Sequence, residues 1–301
     1  MSFLLAALTL LFLFLLSVAF VILILGPLIL LQPHRRKKEW YARFTSILEP
    51  RDAGIPQEDL WLITPDNVRL SCWLVQHKKA HGTMIVLHGV GDCKIGGVEI
   101  AAYLYSIGYN VFLYDSRRHG ESGGKYCTYG FLEKHDVSTA IDYLQERPGF
   151  AIGKVGIFGT SMGAAVAIQA AAMDARIAAV IAEASFTTLR SIAVDYQRRL
   201  IKLPWHFLRN VALARSQKIA GFKARLVSPL DDVKRLQCPI LFVHGLQDVF
   251  IDVQYSKRLY EATPGKKQLL LIEGANHNNV WQVGGKNYQD AMFSLLKSSL
   301  S

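Results

Sequence analysis

The sequence predicts an α/β body, a mainly parallel sheet of eight strands with helices on both faces, carried behind one membrane-spanning helix. Three observations predict it. No formally charged side chain precedes Arg35, and Phe3 to Leu31 is almost unbroken Leu, Phe, Ile, Val and Ala. Beyond about residue 58, short continuous apolar runs alternate with longer amphipathic ones, and runs apolar at every position are strands covered on both faces. One run passes directly into a Gly-x-Ser-x-Gly bend and an Ala-rich helix. With 301 residues and 51% apolar side chains, the chain can bury a large core, which excludes a disordered chain or a disulfide-stapled miniprotein.

The apolar N-terminal stretch exceeds the roughly 20 residues that cross about 30 Å of hydrocarbon. The surplus predicts tilt, or a bend of the last turns into the interface after Gly26 and Pro27. A cleaved secretory signal would need a basic start, an apolar core of about 7 to 15 residues and a small-residue cleavage site; all three are missing. Arg35, Arg36, Lys37 and Lys38 follow the stretch and no Lys or Arg precedes it, so the positive-inside rule puts the body on the cytoplasmic face. Cys72, Cys93, Cys127 and Cys238 form no C-x-x-C pair, which suits a reducing compartment and argues against a thiolate metal site. The expected division is a transmembrane anchor over 1–33, a basic juxtamembrane linker over 34–57, which from residue 40 is expected to dock onto the body and has breakers at Pro50, Gly54 and Pro56, and the body over 58–301.

Within the body, strands are expected at Leu60 to Thr64, Arg69 to Val75, Thr83 to His88, Asn110 to Tyr114, Val155 to Phe158, Ala178 to Ala182, Ile240 to Val243 and Gln268 to Ile272. Helices are expected at Val98 to Ser106, Gly130 to Gln145, Met162 to Met173, Val253 to Ala262 and Tyr288 to Lys297. The first two runs, joined by Pro65, Asp66 and Asn67, read as an antiparallel hairpin at the sheet edge. Residues 186 to about 228 interrupt the alternation. There Arg198, Arg199, Lys202, Arg209, Arg215 and Lys218 alternate with Tyr196, Leu200, Leu203, Trp205, Phe207, Leu208 and Ile219, which predicts a cap of short amphipathic helices broken at Pro204. Such a surface suits a membrane contact; equally, the bases form a solvated face and the aromatics cover the site. Residues 35–38 and 190–225 together carry more than the whole net charge of +10. Two local patches fit anionic lipid headgroups, and no zinc-finger spacing or aromatic-interleaved basic stripe supports a nucleic-acid partner.

The chemistry centres on Gly159-Thr160-Ser161-Met162-Gly163, between an apolar strand and a small-residue helix. A Gly-x-Ser-x-Gly bend presents its serine at the tip of a strained strand-to-helix turn, with glycines either side because a Cβ there would clash across the bend. A serine needs a base, and the base an orienting carboxylate, both at the carboxyl ends of later strands. Asp248 follows the seventh run and His277 the eighth. Asp252 competes for the acid's role, although at the start of the next helix it would serve as an N-cap; His244 reads as structural. Met84 to Leu87 leads into His88-Gly89-Val90-Gly91, whose glycines turn backbone N–H groups toward one point. The expected oxyanion donors are the N–H groups of Met162 and Val90.

These motifs resemble the α/β-hydrolase superfamily, in its serine esterase, lipase and thioesterase-like branch, over roughly residues 58 to 300. Asp115-Ser-Arg-Arg-His-Gly-Glu-Ser122 is similar to the family's D-x-R-x-x-G-x-S turn, where Asp115 and Arg117 read as scaffold, and Ser228-Pro-Leu-Asp-Asp-Val resembles the approach to its acid-bearing strand. The resemblance implies an eight-stranded core, a Ser161, His277 and Asp248 triad, and no metal or organic cofactor. Specificity on this fold sits in the cap. The expected activity is hydrolysis of an acyl ester or thioester at the bilayer, with the acyl chain on a lipid or a lipidated protein. A serine peptidase and a catalytically silent membrane scaffold are the alternatives; dehalogenases and epoxide hydrolases place Asp where this chain has Ser161.

Overall fold

The computed structural model describes residues 2–200 and 206–300; the expectations at Lys202, Leu203, Pro204 and Trp205, and those on the side chains of Arg199 and Leu200, lie outside the described residues. The chain opens with α1 (Ser2–Phe20), a π-helical turn over Val21–Leu25 and α2 (Gly26–Leu31). Pro27 has no N–H to continue an α-helical ladder, and the widened turn, in which the Gly26 N–H donates to Val21 O, absorbs the defect. Phe3–Leu31 is the one candidate membrane helix among the described residues, with a mean hydropathy of 3.1.

The last turns, after Gly26 and Pro27, are in contact with the body. Leu31 is fully buried in the main core, Gly26 packs against Ala212, the Tyr129 hydroxyl donates to Leu30 O at 2.8 Å, and the Cys127 N–H donates to Leu31 O at 2.8 Å. Phe3 to Leu25 still provides about 34 Å of helix at 1.5 Å per residue.

After a short α3 (Lys38–Tyr41) come the first strands, β1 (Glu58–Ile63), β2 (Arg69–Val75) and β3 (Gly82–Leu87). Then α4 (Val98–Ser106), β4 (Asn110–Tyr114), α5 (Glu133–Glu146), β5 (Lys154–Thr160), α6 (Met162–Ala171) and β6 (Ile177–Glu183) alternate. The insertion holds α7 (Leu189–Leu200) and α8 (His206–Ala220), followed by α9 (Pro229–Asp232). The chain ends with β7 (Ile240–Gly245), α10 (Val253–Ala262), β8 (Lys267–Ile272) and α11 (Val280–Leu300).

The eight strands form one sheet in the order β1-β2-β4-β3-β5-β6-β7-β8. The β1–β2 and β2–β4 pairs are antiparallel, and all others are parallel. β3 through β7 are buried nearly throughout, as their unbroken apolar runs require. One apolar cluster packs α5 and α6 against one face, and a second packs α4 and α11 against the other. Two helix starts depart from expectation. Gly130 stands at φ 112°, and the Glu133 carboxylate accepts the N–H groups of Thr128 and Gly130 at 2.7 Å, so α5 begins three residues late. α11 starts at Val280, eight residues early, and continues past Gly285, whose φ of 45° breaks the regular helix.

Candidate active site

The parallel strands end at one rim, and the tips of β5, β7 and β8 carry Ser161, Asp248 and His277. Ser161 adopts φ 55° and ψ −113°, a left-handed conformation that few non-glycine residues occupy. Both flanking glycines are required. A Cβ on Gly159 would lie 2.3 Å from Gly163 O, and one on Gly163 would lie 2.3 Å from Leu87 O. The Ser161 N–H donates to Glu183 O at 2.8 Å, tying the bend to the end of β6.

Asp248 and His277 meet, with Nδ1 2.6 Å from Oδ2. Because a carboxylate can only accept here, Nδ1 carries the proton and Nε2 is the free ring nitrogen. The other Asp248 oxygen accepts the N–H groups of Phe250 at 2.7 Å and Ile251 at 2.8 Å. His244 Nε2 lies 3.3 Å from Asp248 Oδ2. Burial alone would raise the Asp248 pKa, but the hydrogen bonds from His244 and His277 override it and hold the carboxyl well below the usual range.

The competing residues have other partners. Asp252 caps α10, accepting the Gln254 N–H at 2.9 Å. His244 is fully buried between the Ser256 hydroxyl and Ile251 O. His88 Nε2 accepts the Ser116 N–H at 2.9 Å, its Nδ1 meets Gly89 O at 2.7 Å, and burial pushes its pKa down to about 4, so it stays neutral and fixes the loop after β3. Asp115 accepts from the Lys94 N–H, the Lys94 ammonium and the Glu121 N–H, and Arg117 is bound by Asp136 and Asp66; both are scaffold.

Ser161, His277 and Val90 line one cavity of about 600 Å³. Met162 opens α6, and neither its N–H nor that of Val90 donates to a backbone acceptor among the described residues. All four cysteines are buried and free. Among the described residues no group of three His, Cys, Asp or Glu side chains could hold a metal ion.

Two parts of the cavity wall were missed in the sequence. Glu183, at the tip of β6, lines the cavity; its Oε2 is buried without a hydrogen-bond partner among the described residues, and burial raises its pKa to about 7. An acid at the carboxyl end of an apolar strand is the signal that singled out Asp248, and it applied here too. The second part is Arg36, Trp40, Tyr41 and Phe44, from a linker expected to dock onto the body from about residue 40 but not to line the cavity.

The family described as serine aminopeptidase, S33 (Hydrolase_4) matches residues 78–228. The chain belongs to this α/β-hydrolase family. The chain is 34% identical to the uncharacterized protein YqkD of Bacillus subtilis over 65% of its length; the match spans 64% of that protein, just under two thirds of its length. It is 26% identical to an uncharacterized membrane protein of Saccharomyces cerevisiae, over 76% of each chain. The Pyrococcus furiosus esterase Pf2001 has a similar structure, with a TM-score of 0.70 and 25% identity, covering 84% of this chain and 96% of that one.

Proposed function

We propose that the protein is a membrane-anchored serine hydrolase that cleaves acyl ester or thioester bonds. The observation that carries this reading is the 2.6 Å contact between His277 Nδ1 and Asp248, at a cavity that also holds the strained Ser161. In the proposed reaction Ser161 Oγ attacks the acyl carbonyl while His277 Nε2 takes its proton. Asp248 holds the imidazole in the tautomer that can accept, and stabilises the imidazolium that forms. The N–H groups of Met162 and Val90 bind the oxyanion, each contributing about 10² to 10³ in rate. His277 returns the proton to the leaving oxygen or sulfur, and water, deprotonated by the same base, then releases the acid. The similarity to an esterase supports an ester substrate.

The apolar helix and an aromatic cavity wall, with Trp40, Phe44 and Phe250, support an acyl chain on a lipid or lipidated protein. The basic run at 35–38 supports a body on the cytoplasmic face, which protease protection of sealed vesicles tests; a body cleaved from the opposite face refutes that topology.

Fluorophosphonate labelling of the intact chain, beside Ser161→Ala, tests the chemistry. Label on the wild type and none on the variant is the expected result; an unlabelled wild type would favour a silent scaffold. The family's description as a serine aminopeptidase favours a second reading, cleavage of an aminoacyl amide. Turnover of a p-nitrophenyl ester but not of an aminoacyl anilide separates the two.

A further inference from the structure

The reaction proposed above makes no use of the stretch that joins the apolar helix to the body. That stretch is bound to the loop that follows β3. The Arg36 N–H donates to Gly91 O at 3.2 Å, and the Tyr41 hydroxyl donates to Asp92 Oδ1. The Arg36 guanidinium lies 3.8 Å from the same carboxylate and 4.1 Å over the Trp40 ring. Gly91 stands at φ +74°, and a Cβ on it would come within 3.2 Å of His34 O. The chain leaving α2 therefore passes directly across this glycine, so any side chain there would be both strained and crowded.

The same loop carries Val90, one of the two donors assigned to the oxyanion. An oxyanion donor is effective only when it is aimed before charge develops, because reorganising it during the reaction consumes the benefit. A donor flanked by Gly89 and Gly91 has little stiffness of its own. His88 ties the inner side of the loop, through the Ser116 N–H. On the outer side the ties come from Arg36 and Tyr41.

We propose that Tyr41, acting through Asp92, is a positioning residue that aims the Val90 N–H, so that the juxtamembrane stretch is a working part of the catalytic site. This rests on the hydrolase reading. Tyr41 touches no reacting atom in this scheme; it acts on the loop, and its contribution is to kcat.

The test uses the full chain in lipid nanodiscs, wild type beside Tyr41→Phe, which keeps the ring and removes the hydroxyl, and Asp92→Ala, which removes the oxygen that accepts it. Three quantities are read: kcat and KM on p-nitrophenyl butyrate, the rate of fluorophosphonate labelling, and amide hydrogen exchange over residues 88–93. Loss of one such hydrogen bond is expected to lower kcat by about tenfold with KM nearly unchanged. Labelling should slow by a similar factor, and loop exchange should quicken. The double variant should be little worse than Asp92→Ala alone, because that change already removes the acceptor of the Tyr41 hydroxyl. Unchanged exchange would overturn the docking. Faster exchange with unchanged kcat, or a rise in KM alone, would overturn the positioning role. A wild type that neither turns over ester nor takes the label would instead overturn the hydrolase reading and the positioning role with it, while the exchange comparison would still decide whether the stretch holds the loop.

Discussion

Asp248 accepts three hydrogen bonds at once, from two backbone N–H groups and the His277 imidazole, with His244 Nε2 3.3 Å away. Replacing it by Asn preserves shape but puts an amide where a carboxylate accepted the Nδ1 proton, which favours the wrong tautomer of His277. Asp248→Asn is accordingly expected to lower kcat on a p-nitrophenyl ester by about 10⁴ with the fold intact. Matching circular dichroism spectra check the fold, and wild-type turnover in the variant would remove Asp248 from the proposed triad. Glu183 yields an expectation about stability. Its carboxyl rises from an ordinary 4.5 to about 7 through burial, so between those values the folded chain binds a proton that the unfolded chain has released. Stability from this group therefore falls as pH rises through that window and stays reduced above it. Glu183→Gln should gain on the wild type as pH rises from about 4.5 to 7 and show a constant difference beyond, read from melting temperatures; a difference independent of pH would contradict the burial of this charge. Ser161, Asp248 and His277 were legible because each follows an apolar run at a strand tip. Glu183 met the same criterion, and went unnoticed because its isolation depends on neighbours that only the folded chain assembles.

Among the elements, the strands were the most legible, since β2 and β4 follow directly from their apolar runs. The helices were less so where glycines interrupt the period: Gly284 and Gly285 hide the first turns of α11, and Gly130 delays α5. The apolar helix was legible in its composition, whereas the contacts of its last turns with the body were not. Leu and Ile suit lipid and protein core alike, so hydropathy cannot divide Phe3–Leu31 into a free part and the docked α2. Leu31 separates the two possibilities. Leu31→Ala in detergent-solubilised chain is expected to destabilise the body by about 2–5 kcal/mol, as a large-to-small change in a core does; an unchanged unfolding transition would mean that α2 is not seated there.

Over the whole molecule, local charge density does not by itself say what each charge faces. Arg35 turns inward to Ser122 O at 3.0 Å, and Arg36 lies at the cavity with Asp92. Half of the run read as headgroup-binding is therefore used within the protein. The boundary between anchor and body follows these contacts more than it follows hydropathy. Removing residues 2–25 should leave folding and ester turnover near those of the full chain, whereas removing residues 2–44 should lower both the melting temperature and kcat. Equal activity in the two truncations would show that the docked stretch is dispensable.

The seating of α2 against α8 has a mechanical consequence. A domain hung on a slack leash sweeps a hemisphere above its membrane, sampling substrates at many heights and angles. Here the leash is bolted at its exit, so on the proposed topology Ser161 keeps a set elevation and tilt relative to the lipid plane. Selectivity then acquires a ruler, and scissile bonds held at the wrong height stay out of reach however well their chemistry would fit.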